Sequence, residues 1–376
     1  MSHLEIVPVA GGKLLDAFIG LPNRLHRDDP HYIAPLHLER LDALTPKNPF
    51  FGHAEVQFWL ARKDGRDVGR ISAQIDRQEL AIRPDAAGRF GLIAAEDDPA
   101  VFRALFATAE DWLRARGMTR VEGPFNLNIN EEMGLLVDGF DTPPMLLMGH
   151  DKPYIGPQIE RLGYAKVKDV FAYLYDITKD LPAGARRLID RPLPKGLVVR
   201  PIDFKRYNAE IATITEIFND AWLNNWGFVP LTEIETDHLA KSLKPLLDPR
   251  LVSIVEHDGE AVGFLVCLPN LNEAIRDLGG RLLPFGWAKL LWRLKVAGVK
   301  TARVPLMGIK RSAAKGVIGS LLPFLVIDAV RKEAVKMGFT HIELSWILED
   351  NLPMRHINES LGGIAYKTYR IYGKAL

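Results

Sequence analysis

The sequence predicts an α/β (α+β) protein with two tandem domains of one kind, each a mixed, mostly antiparallel twisted sheet flanked by helices. Three observations predict it. First, "FWLARKDGRDVGRISAQI" (58–75) and "VSIVEHDGEAVGFLVCLP" (252–269) each set an Asp-Gly pair between two apolar runs. That is a tight hairpin, because glycine takes the positive φ such turns need. Second, "FATAEDWLRARGMTRVEGPF" (106–125) and "VIDAVRKEAVKMGFTHIELS" (326–345) each read as an amphipathic helix, a glycine stop and a strand. Gly117 and Gly338 suit the left-handed position that closes a helix. Third, "IERLGYAKVKDVFAYLYD" (159–176) and "INESLGGIAYKTYRIYGK" (357–374) each read as a short helix, a glycine and an alternating strand bearing Tyr.

The order hairpin, helix, strand, helix, strand therefore occurs twice. The first domain spans 1–180 and opens with the strand "LEIVPV". Its long helix starts at "EDDPAVF", where Asp98 suits the N-cap and Pro99 the first helical position. A linker, 181–194, lies in a stretch rich in Pro, Gly and basic residues, as boundaries often are. The second domain, 195–376, opens with "GLVVRPI" and continues with a helical pattern at "NAEIATITEIFNDAW" (208–222). The second copy is longer between its hairpin and its long helix. The first is longer between its post-helix strand and its short helix. Such insertions in a repeated scaffold are where specialised work sits.

The bulk numbers exclude several classes. The 376 residues carry 48 basic and 47 acidic side chains, a net charge of +1, which argues against a nucleic-acid-binding face. Cys267 is the only cysteine, so no intramolecular disulfide forms, and its apolar strand context marks a buried thiol. The opening residues lack the basic and apolar regions of a signal peptide, and no apolar run approaches the roughly 20 residues of a membrane span. The expected location is cytoplasmic, at most peripheral at the inner membrane surface. His26, His31 and His37 in "LHRDDPHYIAPLH" lack metal-ligand spacing, and no metal is expected.

The pattern resembles the GNAT (Gcn5-related N-acetyltransferase) superfamily in tandem. The hairpin "DGEAVG", the segment "VPLMGIKRSAAKGVIGSLL" and the closing "ILEDNLPMRHINESLGGIAYKTYRIYGKAL" carry the resemblance. More narrowly, "LPNRLHRDDPHYIAPL", "KNPFFGHAEVQFWLARKDG", "VEGPFNLNINEEMGLLVDGFDTPP" and "NNWGFVPLTEIE" resemble the YghO-like group, to which bacterial ceramide synthases belong. The resemblance implies an N-acyltransferase that takes an acyl group from acyl-CoA, or from acyl carrier protein, to the amine of a long-chain or sphingoid-type acceptor. Rival readings are a GNAT enzyme acting on a small amine or peptide, and a catalytically silent module that keeps the fold. A continuous apolar tunnel reaching the cofactor loop marks the lipid enzyme, a small polar pocket the first rival, and a plugged cleft the second.

In such folds the fourth strand runs into a loop whose amides, with the dipole of the long helix, face the pyrophosphate of coenzyme A. Here that implies the backbone of Met307, Gly308 and Ile309, the cations Lys310, Arg311 and Lys315, and the turn Gly316, Gly319 and Ser320. The spacing departs from the family's Arg/Gln-x-x-Gly-x-Gly/Ala loop by one residue between the glycines. Asn351 would contact the cofactor or cap the helix after it. The first domain has Glu96, Asp97 and Asp98 at the equivalent point, which would repel a pyrophosphate.

Candidates for the chemistry are spread along the chain. Glu132 or Glu131 would serve as base if buried, His53 as another, and Tyr369, with Tyr366 and Tyr372, as acid. Asn126, Asn128 and Asn130 share one face if extended, or tie down their own loop if not. Trp222, Asn225, Trp226 and Phe228 would line an apolar acceptor cleft. "GRLLPFGWAKLLWRLKVAG" (280–298), with Trp287, Leu290, Leu291 and Leu294 on one helical face, suits a membrane interface, the cover of an acyl tunnel, or plain packing.

Overall fold

The computed structural model describes residues 3–376. Two compact units form. The first holds the described residues up to Val170, with Ile275–Leu290 and Lys367–Leu376; the second holds Phe171–Ala274 and Leu291–Tyr366. In chain order the strands begin with β1 (Leu4–Val9), β2 (Ala54–Lys63), β3 (Arg66–Asp76), β4 (Gly88–Ala95) and β5 (Arg120–Gly123). Next come β6 (Phe125–Asn126), β7 (Glu132–Met133), β8 (Leu135–Asp138), β9 (Ala165–Asp176) and β10 (Leu197–Pro201). The last are β11 (Val252–His257), β12 (Glu260–Pro269), β13 (Thr301–Ile309), β14 (His341–Leu348) and β15 (Ile364–Ala375).

Both Asp-Gly hairpins form as expected. Asp64 and Gly65 have φ of 50° and 78°, and Asp258 and Gly259 have 51° and 83°, the doubly positive φ of a two-residue turn. Asp98 caps the helix Pro99–Arg114 by accepting from the Ala100 amide at 2.9 Å. Within the stretch expected as a linker, a helix forms at Ala183–Ile189.

In the first unit the sheet order is β1, β2, β3, β4, β5, β15, with only the β4–β5 pairing parallel among these neighbours. Alternation along β2 feeds two cores. Trp59 and Ala61 join Phe102, Leu105 and Phe106 of the helix Pro99–Arg114. Phe58 and Leu60 join Phe18 and Leu21 of the helix Gly12–Leu25. In the second unit the order is β9, β14, β13, β12, β11, β10. Leu322, Val326, Val330 and Ala334, one helical turn apart, are buried on the long helix Gly316–Lys336.

The two equivalent Tyr-bearing strands are traded between the units. The end of β15 pairs with β5, Tyr372 opposite Gly123, and Arg370 forms a two-pronged ion pair with Asp169 at 2.8 and 3.0 Å. The end of β9 lies in the second unit, where the Tyr173 hydroxyl donates to Glu359 at 3.2 Å.

In each unit the paired parallel strands soon part. β4 and β5 pair only at Gly88–Val121 and Arg89–Glu122. The register of β4 against β3 then shifts, and Leu92 has a φ of 50°. The gap is filled by the unit's own chain. The Leu92 amide donates to Asn126 Oδ1 at 2.8 Å, and buried Gln74 donates to the Phe125 and Leu127 carbonyls at 2.6 and 3.0 Å. A Cβ on Gly91 would lie 1.7 Å from the Phe125 carbonyl oxygen. Gly91→Ala is therefore expected to destabilise the first unit by roughly 2–3 kcal/mol, as overpacking does. Urea denaturation of the purified variant measures this; unchanged stability would mean that 125–127 does not fill the gap.

Candidate functional site

The second unit keeps its gap open. β13 and β14 pair in parallel from Thr301–His341 to Val304–Leu344. A register shift against β12 then sets Val304 and Pro305 opposite Cys267 alone, a bulge at which proline offers no amide to the ladder. Beyond it lies a cleft of about 550 Å3. Its walls are Pro305, Met307 and Ile309 on β13, Leu344 to Leu348 on β14, and Gly319, Ser320, Pro323 and Phe324 on the long helix. Trp222 and Asn225 line it from the end of the helix Tyr207–Trp222, and Asn351 and Met354 from the start of the helix Leu352–Ser360.

The backbone on β13 sorts the expected donors. The Lys310 amide bonds to Val262 on β12, so alternation turns the Gly308 amide the same way and those of Met307 and Ile309 toward the cleft. The Met307 carbonyl, on the cleft side, accepts from Trp222 Nε1 at 3.0 Å. Gly308 serves packing instead: a Cβ there would meet Phe264 and Ala221 at 3.0 and 3.1 Å.

The expected phosphate turn is partly rearranged. Lys310 is held by Glu216 and Glu260 at 2.7 and 2.9 Å, and the Arg311 guanidinium pairs with Asp220 at 3.0 Å. Both cations are thus already paired with acids of their own chain. Lys315 is exposed at the N-cap of the long helix, whose first turn has no side-chain cap. Those first amides leave a positive end at the cleft. Gly319 answers the extra residue between the glycines: its bare Cα faces the Ala313 and Ala314 carbonyls, where a Cβ would come within 2.6 Å. Ser320 Oγ donates to the Gly316 carbonyl at 2.9 Å. Asn351 accepts from the Met354 amide at 3.3 Å as a cap, and it also lines the cleft.

A buried polar group stands behind the cleft wall. Arg303 and Glu343 face each other in register at 3.4 Å, nearly inaccessible. Ser345 Oγ accepts from Arg303 Nε at 2.9 Å and donates to Glu343 at 2.6 Å, and the Tyr366 hydroxyl donates to the other Glu343 oxygen. Sequence reasoning missed Arg303. Its signal was an arginine inside an apolar strand, "ARVPLM", opposite the same-face pair Glu343 and Ser345.

Most of the remaining candidates belong to the first unit, and none of them lines this cleft. Asn126, Asn128 and Asn130 are not one extended face, because β6 ends at Asn126 and the chain turns back into β7. Asn126 is spent between the Leu92 amide and Glu132 at 3.0 Å, and Asn128 accepts from the Asn130 amide at 2.8 Å. Glu132 is ion-paired with Arg40, and Glu131 accepts from Asn48 at 2.9 Å. Burial raises two other carboxyls near Glu132, that of Glu39 and that of Asp151, the latter pushed up to about 7. His53 reaches Asp76 at 2.9 Å. Tyr369 is fully buried and donates to the Gly149 carbonyl at 3.2 Å, and Tyr372 donates to Glu160 at 3.1 Å. Trp287 is half exposed, and none of 280–298 lines the cleft. In the second unit Phe228 is buried against Phe218, and Trp226 is not among the lining residues. Cys267 is fully buried, which pushes its thiol well above the usual range.

Among the described residues one group of metal-ligand type does come together. His26 Nδ1 and His150 Nε2 both reach Asp29 Oδ2, at 3.3 and 3.2 Å. The Lys152 ammonium stands 3.7 Å from the same oxygen, which suits an ion-paired hydrogen-bond cluster. Burial holds His26 down at about 4, against the pull of Asp29.

The chain is 59% identical over 379 residues to the bacterial ceramide synthase of Caulobacter vibrioides (strain NA1000 / CB15N), covering 100% of this chain and 98% of that one. It is 46% identical over 363 residues to Protein YghO of Escherichia coli (strain K12), covering 96% and 93%. Among solved structures it is similar to a tandem GNAT protein from the clavulanic acid biosynthesis pathway, with a TM-score of 0.57 and 16% identity over 99% and 98% of the two chains. It is also similar to a GCN5-related N-acetyltransferase from Sphaerobacter thermophilus, with a TM-score of 0.54 and 13% identity over 98% and 95%. The fold is therefore that of tandem GNAT proteins. No family model matches the chain.

Two outcomes test this geometry. Arg303→Ala leaves a buried carboxylate unpaired and is expected to cost about 3–5 kcal/mol in urea denaturation, with partial recovery in Arg303→Met/Glu343→Gln. Equal stability of wild type and Arg303→Ala would refute the buried pair. Acidification tests His26. Between its unfolded value of 6.5 and about 4, the unfolded chain takes up a proton that the native site refuses, so stability is lost as pH falls through that window. Melting temperatures of His26→Gln should fall less steeply than those of wild type from pH 7 to pH 4.5; parallel curves would count against a buried neutral imidazole.

Proposed function

The chain belongs to the family of the bacterial ceramide synthase and YghO, a group of N-acyltransferases, and on that premise we propose that it moves a long acyl chain from a coenzyme A thioester to the amine of a long-chain, sphingoid-type acceptor. The observation that carries this reading is the open cleft between β13 and β14. Its lining is mostly apolar, including Val304, Pro305, Phe324, Leu344, Ile347 and Ile357. That lining favours an alkyl chain over a small polar amine, and the open volume argues against a silent module. The repeat supports two GNAT modules, 1–180 and 195–376. In the first, residues 125–127 occupy the equivalent gap, so the second is assigned the thioester.

The diphosphate of coenzyme A would rest on the first-turn amides of the helix Gly316–Lys336, with Lys315 as the nearest unengaged cation. The thioester oxygen, as it gains charge, would take the Met307 or Ile309 amide. The amine nitrogen attacks the thioester carbon. As Ser345 Oγ takes the amine's proton it would hand its own hydroxyl proton to Glu343, to which it already donates. The carbon–sulfur bond then breaks, and the departing thiolate takes the proton held by Glu343, returned through Ser345, so that both residues regain their starting state.

The deciding experiment follows thiol release from purified protein offered acyl-CoAs and acyl carrier protein thioesters of several lengths, each with long-chain and short amines. Release confined to long-chain amines is expected. Release with short amines alone would give way to the small-amine reading. Ser345→Ala should lower kcat by about tenfold or more with KM little changed. Lys315→Glu should raise KM for acyl-CoA by roughly three- to tenfold, while Lys310→Gln, its charge already held by two glutamates, should change it little.

A further inference from the structure

Residues 281–297 combine exposed apolar bulk with an excess of positive charge. Leu283 and Phe285 are each 77% exposed, and Val296 is 72% exposed. Trp287, Leu291 and Trp292 are at least half exposed. These side chains follow one another along a short loop and the helical stretch from Gly286 to Ala297. Only Leu290 and Leu294 of the expected apolar face are half-buried, so plain packing does not account for the rest. Soluble surfaces rarely gather so many large apolar groups in one place.

The charge is as one-sided as the apolar bulk. From Leu278 to Lys300 there is no acidic residue, while Arg281, Lys289, Arg293, Lys295 and Lys300 are basic, in a chain whose net charge is only +1. Asp277, just outside, holds Lys289 at 2.5 Å, and Arg293 donates to the Ala274 carbonyl at 2.7 Å. Arg281, Lys295 and Lys300 remain exposed. Two copies of this face would set like charges against each other, which disfavours self-association. Trp flanked by Lys and Arg around an apolar strip matches the headgroup boundary of an anionic bilayer.

We propose that 281–297 is a membrane-docking surface for anionic lipid, inserting Leu283, Phe285, Trp292 and Val296 among the acyl chains while Arg281, Lys295 and Lys300 meet phosphate headgroups. Docking needs neither thioester nor amine, so it and the proposed reaction fail independently.

Full-length protein is sedimented with vesicles of phosphatidylcholine alone and with 30% phosphatidylglycerol. Binding to the anionic vesicles is expected, weakened several-fold by raising salt from 0.05 to 0.5 M, with a blue shift of tryptophan emission. Phe285→Ser/Trp292→Ser and Lys295→Glu/Lys300→Glu should each reduce partitioning about tenfold, their melting temperatures showing that they remain folded. Absence of binding to anionic vesicles at low salt would overturn the proposal. So would undiminished binding by both variants, or a concentration-dependent dimer in light scattering that the Phe285→Ser/Trp292→Ser pair abolishes.

Discussion

Two parallel strands that pair briefly and then part are the constraint on which the rest depends. Where β13 leaves β14, main-chain groups lose their ladder partners and must find others or face a cavity. The bulge at Val304–Pro305 enforces the parting. The Arg303–Glu343 pair clamps the rung before the last, so the strands separate at a defined point rather than fraying. A buried ion pair contributes little net stability, but it penalises any register that would leave either charge alone. The cleft can thus stay open without the sheet unravelling.

The first unit solves the same problem in the opposite way. Its parting strands expose the Leu92 amide, and Asn126 supplies the missing acceptor. Gln74, wholly buried, ties the inserted segment to the sheet through two carbonyls. Each of these polar groups is satisfied within the protein, so the filled gap is a stable end state with no unmet demand for a ligand. One fold, used twice, offers one vacancy and one solid body.

Local features were legible in the sequence because they follow from local chemistry. The Asp-Gly turns, the glycines closing both long helices and the Asp98 cap need only neighbouring residues to be recognised. The trade of β9 and β15 was not legible, since two strands of like pattern fit either sheet and nothing local says which receives them. The site was half legible. The turn after β13 followed from strand, glycine and helix. Whether its cations were available depended on Glu216, Asp220 and Glu260, contributed by other elements of the fold. Asn126, Asn128 and Asn130 misled because period two was assumed across a segment that turns after Asn126.

Near-neutral net charge conceals how the basic residues are used. At the cleft Lys310 and Arg311 are answered by nearby acids, so the positive potential there rests mainly on oriented amides, which are fixed, unlike flexible lysines that must be ordered on binding. Fixed donors of that kind favour an anion held in a single pose. Between Leu278 and Lys300 no acid lies within the segment, and although Asp277 holds Lys289, the side chains of Arg281, Lys295 and Lys300 are exposed among apolar groups. Flexible charge of that kind gives weak, laterally tolerant attraction rather than a single pose, as contact with a fluid surface requires. The same residue types therefore stand in two settings, one closely answered by carboxylates and one only partly so.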